Sequence, residues 1–195
     1  MNNLYLVGFM GTGKTTVGRI IASRTGRQFV DLDDLIEFRE KRLIADIFAR
    51  QGEPYFRRIE KQVLKDVARE DGFVVACGGG IVIDEDNIAV MKRTGFLVCL
   101  AASPEAILER TRGKGTRPLL NVPDPKAQVE CLLKMRAPYY AQADKLIDTT
   151  GLSPEEVAGR IMRIAPWGKA SCGAAPGRPS RRRKGRGRTK RAAGR

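Results

Sequence analysis

Leu4–Gly18 reads LYLVGFMGTGKTTVG, and the architecture of the chain follows from it. Gly8, four residues, then Gly13, Lys14 and Thr15 satisfy the spacing G-x-x-x-x-G-K-[ST]. Leu4–Val7 is a short apolar run with the character of a strand. From Lys14 onward Val17, Ile20 and Ile21 make an i, i+3, i+4 stripe, so a helix begins where the loop ends. Glycines let such a loop curl with its N–H groups facing an anion, and the helix N-terminus adds partial positive charge there. Lys14 brings a full charge to the outer phosphates of a nucleotide, and the Thr15 hydroxyl is placed for the Mg²⁺ that accompanies them. These features point to binding of a nucleoside triphosphate.

Beyond the loop and its helix, strands and helices alternate. Gly26 stops the first helix, and Gln28–Asp31 (QFVD) is a second strand running into Asp31, Asp33 and Asp34. Helices are expected over 34–39, over 44–51 up to Gly52, and over 53–70, where Phe56, Ile59, Val63 and Val67 form an apolar face. Phe73–Ala76 is a strand leading into Gly78, Gly79 and Gly80. A helix over 84–93, a strand over 96–101 and a helix capped by Ser103 and Pro104 follow. Helix returns over 125–142, a last strand covers 145–149, and Ser153-Pro154-Glu155-Glu156 starts a final helix reaching about Ile164. Continuous apolar strands between helices predict an α/β fold in three layers, α/β/α, around a five-stranded parallel sheet.

The chain has 195 residues and a net charge of +14, and that charge is unevenly placed. Eleven of the 36 basic residues and none of the 22 acids follow position 165, which leaves 25 against 22 before it. One domain over 1–165 and a basic, disordered tail over 166–195 are therefore expected. The tail has no aromatic residue after Trp167, so nucleic-acid binding by it is not favoured over a solvated extension. With no histidine, imidazole metal sites and Ser-His or Cys-His nucleophile pairs are excluded, and proton transfer falls to carboxylates or lysine. Four cysteines lack C-x-x-C spacing, and Cys77 and Cys99, in apolar runs, read as buried free thiols. No apolar run approaches the roughly 18 residues of a membrane span. A soluble cytoplasmic protein, without a membrane partner, is expected.

In an open α/β sheet ligands bind beyond the carboxyl ends of the strands. There lie Asp31, Asp33 and Asp34 after the second strand and the triple glycine after the third. Beside a phosphate loop one carboxylate can hold hydrated Mg²⁺ and another can accept a proton from a hydroxyl. Arg57, Arg58, Arg117 and Arg136 offer planar forks suited to an anionic second substrate, although a lone helix arginine such as Arg57 also reads as a surface pair with Glu60. The stretch 112–124 (RGKGTRPLLNVPD) carries two glycines and two prolines and reads as a mobile lid that brings Arg117 onto the transferring phosphate.

The order GFMGTGKTTVG, DLD at 31–33, IADIFARQGEPYFRRIE at 44–60, GGG at 78–80, RTRGKGTRPLL at 110–120 and MRAPYY at 135–140 closely resembles shikimate kinase over about 1–165. The resemblance implies a P-loop fold of the nucleoside-monophosphate-kinase type, with a substrate-binding segment over about 33–61. It implies transfer of the ATP γ-phosphoryl to the 3-hydroxyl of shikimate, with Mg²⁺, in aromatic amino-acid biosynthesis, by a monomer. Carried over by matching motif, Gly11, Thr12, Gly13, Lys14, Thr15 and Thr16 cradle the phosphates, Thr15 ligates Mg²⁺, and Asp31 acts on it through water. Asp33 binds the acceptor hydroxyls and is the candidate base. Arg57 and Arg136 take the shikimate carboxylate, Gly78, Gly79 and Gly80 offer main-chain N–H groups, Arg110 lies against adenine, and Arg117 touches phosphate from the lid. The alternatives are another small-molecule kinase with the same loop, acting on gluconate or a nucleotide, or a nucleotide-binding protein with a polyanion-binding tail.

Overall fold

The computed structural model describes residues 3–112 and 122–167. Its elements run β1 (Asn3–Val7), α1 (Lys14–Thr25), β2 (Gln28–Asp31), α2 (Leu32–Glu40), α3 (Ile44–Val67), β3 (Phe73–Ala76), a 3₁₀ turn (Ile81–Ile83), α4 (Glu85–Thr94), β4 (Gly95–Ala101), α5 (Pro104–Thr111), α6 (Pro125–Tyr140), β5 (Lys145–Asp148) and α7 (Pro154–Ile164). The five strands form one sheet in the order β2-β3-β1-β4-β5, and every pairing is parallel.

Alternation along β1 sets the layers. Leu4 and Leu6 face one side, where they pack with Val17 and Ile21 of α1 and Val157 and Ile161 of α7. Tyr5 and Val7 face the other, against Leu64 of α3 and Met91 of α4. A five-residue strand buried on both faces must be apolar throughout, and apart from Asn3 at its start β1 is. The expectation of doubly buried strands holds for the centre of the sheet and not for its edges: β2 and β5 keep exposed positions, since each has a neighbour on one side alone.

The local signals at helix ends do what their chemistry requires. Ser103, Asp124 and Ser153 each accept a hydrogen bond from the first turn of the helix that follows, with proline just inside. Gly26 closes α1 at φ 67°. Gly52, expected to end a helix, takes φ 78° and ψ 172° inside α3, so two helical runs abut there with a break in the backbone.

Packing continues past the expected boundary at 165. Trp167 donates its indole N–H to the Met162 carbonyl at 2.9 Å, and the Arg27 guanidinium lies 4.7 Å from its ring centre. Composition assigned Trp167 to the tail, but its ring packs against the α1/α7 side of the core. Residues 168–195 lie outside the described residues. So do 113–121, which include Arg117 and most of the expected lid.

Candidate active site

The loop after β1 is shaped by contacts that exclude a side chain. A Cβ at Gly8 would strike the Leu100 carbonyl of neighbouring β4. Gly13 enters α1 at φ 94°, in the left-handed region. Thr12, almost fully buried, spends its hydroxyl on the Phe9 carbonyl at 2.8 Å, with its main-chain N–H donating to the same oxygen at 3.4 Å, so it braces the loop. The Lys14 ammonium arches back over the loop and donates to the carbonyls of Gly8 and Phe9, both at 2.9 Å. Thr16 is exposed at the start of α1.

Beside the loop, the Thr15 hydroxyl donates to Asp31 Oδ2 at 2.8 Å, while Asp31 Oδ1 accepts the Asp33 N–H at 3.1 Å and caps α2. A hydroxyl and a carboxylate oxygen thus converge on one point at the mouth of the loop. Among the described residues no group of three or more acidic, cysteine or histidine side chains gathers to cage a metal. Such a donor set fits Mg²⁺ that keeps most of its waters and arrives on nucleotide phosphates.

The three glycines after β3 connect the remaining residues. A Cβ at Gly78 would lie 2.8 Å from Glu60 Oε1 and 3.1 Å from Asp33 Oδ1; one at Gly79 would lie 3.2 Å from the Gly8 carbonyl and 3.6 Å from Arg136 Nη1; one at Gly80 would collide with the Arg57 guanidinium. Side chains here would separate groups that the fold brings together. Asp33, Arg57 and Arg136 therefore border one short stretch of backbone that itself touches the phosphate loop.

Desolvation raises the Asp33 carboxyl to about 6, with the Asp31 charge adding to it and Lys14 opposing. Burial pushes Glu60 to about 7 against the pull of Arg57. Arg110 sits across the loop, donating to the Thr149 hydroxyl at 3.0 Å and the Thr149 carbonyl at 2.7 Å, with Gly11 O 3.5 Å away.

Three residues of this arrangement were missed from sequence. Glu60 is wholly buried on the inner face of α3, and its Oε1 has no hydrogen-bond partner among the described residues. Its position, four after Phe56 and three before Val63, was the available signal: a charge inside an apolar stripe. Tyr140, one turn beyond Arg136 on α6, donates its hydroxyl to the Gly79 carbonyl at 2.8 Å. Thr149, just after β5, receives Arg110. Arg58, by contrast, turns to the Tyr55 ring, 5.1 Å from its centre.

The family model that matches the chain is that of shikimate kinase, over residues 10–165. The chain belongs to the shikimate kinase family. A shikimate kinase of Thermodesulfovibrio yellowstonii is 44% identical, covering 84% of this chain and 94% of its own. One from Symbiobacterium thermophilum is 47% identical over 82% of this chain and 94% of its own. Among solved structures, shikimate kinase from Acinetobacter baumannii in complex with shikimate matches with a TM-score of 0.81 and 38% identity, covering 84% of this chain and 92% of that one. The tunicamycin resistance protein of Deinococcus radiodurans, with a TM-score of 0.62 and 22% identity, shares the fold alone. The family match takes in most of the phosphate loop, the triple glycine and the arginines, and ends at residue 165.

Proposed function

We propose that this chain transfers the γ-phosphoryl of ATP to the 3-hydroxyl of shikimate, giving shikimate 3-phosphate and ADP. The observation that carries this reading is the triple glycine, whose three positions touch in turn Asp33, Arg136 and Arg57 while Gly79 touches the phosphate loop. A kinase acting on gluconate or a nucleotide needs the loop but gives no account of that set.

In the reaction the acceptor oxygen forms a bond to the γ-phosphorus as the bond to the β,γ-bridging oxygen breaks and ADP leaves with the electron pair. Catalysis of this kind is mostly positioning and charge stabilisation. Main-chain N–H groups of Gly11–Thr16 hold the phosphates, and Lys14 exchanges its loop carbonyls for phosphate oxygen. Thr15 and, through water, Asp31 would hold Mg²⁺, which would supply neutralising charge to the phosphates. Asp33 orients the 3-hydroxyl and accepts its proton. Arg57 and Arg136 take the carboxylate, and the N–H groups of Gly78, Gly79 and Gly80 meet the ring hydroxyls. Arg110 lies against adenine, and Arg117 reaches phosphate from a lid at 112–124.

We assign 33–61 to acceptor binding and 166–195 to a basic tail, and read the protein as a cytoplasmic monomer. The free cysteines Cys77, Cys99 and Cys131 fit a reducing compartment. No helix among the described residues is long and apolar enough to cross a membrane.

Replacing Arg57 or Arg136 by Met tests the reading. Each should raise KM for shikimate by on the order of 10- to 100-fold, the worth of a charged hydrogen bond, and leave KM for ATP within about twofold. Equal losses toward both substrates would contradict it.

A further inference from the structure

Arg57 meets two carboxylates of its own helix, and they differ in kind. Nη1 donates to Glu60 Oε2 at 2.7 Å. Nε and Nη2 both donate to one oxygen, Glu53 Oε1, at 3.1 and 3.0 Å. The Glu60 side chain is 0% exposed and that of Glu53 is 59% exposed. A buried ion pair is costly to break, because the partner left behind stays uncompensated, whereas an exposed i,i+4 pair holds its members weakly.

The edge that Glu53 covers is the chemically informative one. Two parallel N–H donors of a guanidinium match the two oxygens of a carboxylate, yet Glu53 meets both donors with a single oxygen. Its backbone begins the second run of α3, directly after the break at Gly52. It also borders, with Arg57, Gly80, Asp84 and Asn87, a cavity of about 400 Å³. A carboxylate thus stands at the edge of a cavity, on the donor pair best suited to an incoming acid.

We infer that Glu53 is an internal stand-in for the acceptor's acid group: it covers the Nε/Nη2 edge of Arg57 in the free protein, and the acceptor carboxylate displaces it on binding. This rests on the reading that Arg57 receives that acid group. Glu60 keeps its hold throughout and fixes the guanidinium plane. A neutral ligand has no charge to exchange for that of Glu53 on Arg57, and leaves the pair in place. An acid that offers two oxygens exchanges one poor contact for two good ones. Glu53 then lowers the affinity for acceptors that carry a carboxylate, leaves neutral acceptors unaffected, and takes no part in phosphoryl transfer.

The test uses the full-length chain with Glu53→Gln and Glu53→Ala, measuring kcat and both KM values with shikimate and with shikimate methyl ester. Both variants should lower KM for shikimate, by up to about fivefold given the strength of exposed pairs, with kcat and KM for ATP unchanged. The gain should vanish with the ester, which has no charge to place on Arg57. A KM for shikimate that is unchanged, or that rises in Glu53→Ala and is restored in Glu53→Gln, would overturn the inference and make Glu53 a prop for Arg57. Absence of shikimate-dependent turnover in the unmodified protein would instead overturn the underlying reading, and this inference with it.

Discussion

The backbone of Gly80 lies against the guanidinium of Arg57, so closely that a Cβ there would fall 2.8 Å from Cζ and 2.9 Å from Nη1. Gly80 has φ −98° and ψ −4°, a conformation open to alanine. Gly80→Ala should therefore keep the backbone but push Arg57 aside, straining its buried pair with Glu60 and lowering the thermal midpoint by a few degrees. KM for shikimate should rise by about tenfold or more. A large fall in the midpoint with unchanged KM would mean that the glycine serves the fold and not the site.

Burial of Glu60 should give the protein a pH dependence whose sign follows from the direction of its shift. Its carboxyl is raised from 4.5 to about 7 by burial, opposed by Arg57, so the folded state binds a proton that the unfolded chain releases. The associated stability is fully present below about pH 4.5 and is lost as pH rises through about 7. Glu60→Gln removes that titration. Denaturant unfolding from pH 4.5 to 8 should show the parent losing on the order of 3 kcal/mol relative to Glu60→Gln, whereas parallel curves would refute the assignment.

Thr149 holds Arg110 by its hydroxyl and its carbonyl, and the hydroxyl also donates to the Ala101 carbonyl at 2.9 Å. Thr149→Val keeps the volume and removes the hydroxyl. Because the Thr149 N–H still satisfies Ala101, the loss should fall on Arg110. KM for ATP should rise by about three- to tenfold, and KM for shikimate should not move. A change confined to shikimate would place Arg110 elsewhere in the mechanism.

Trp167 ties the end of α7 to Arg27. A chain ending after Trp167 should melt like the full-length protein. One ending after Ala165 should melt about 3–6 °C lower, because it has neither the indole packing nor the cation–π pairing with Arg27. Equal midpoints for the two truncations would show that the indole adds nothing.

The fold was legible because its signals are local. The phosphate-loop spacing, the apolar strands and the Ser-Pro helix starts at Ser103 and Ser153 each specify their own segment, and strands β2 and β3 fall where periodicity puts them. What failed depended on the third dimension. Burial of β2 and β5 follows from their edge positions, which strand composition does not encode. Glu60 belongs to the site because Gly78, 18 residues later, has no side chain to keep it from Asp33. Trp167 sits in a stretch whose composition resembles a tail, yet one indole with a carbonyl and a guanidinium in reach is enough to pack. The motif residues Asp33, Arg57 and Arg136 were recognisable by resemblance, but the glycine backbone that joins them is a property of the folded chain.

Whether shikimate is the acceptor is decided by the initial rate of ADP release from the full-length protein with Mg-ATP, alone and with shikimate, AMP or gluconate. Shikimate should stimulate release strongly, and the other two should leave it unchanged. Slow ADP release indifferent to every acceptor, or equal rates with AMP or gluconate, would rule shikimate out as the specific acceptor.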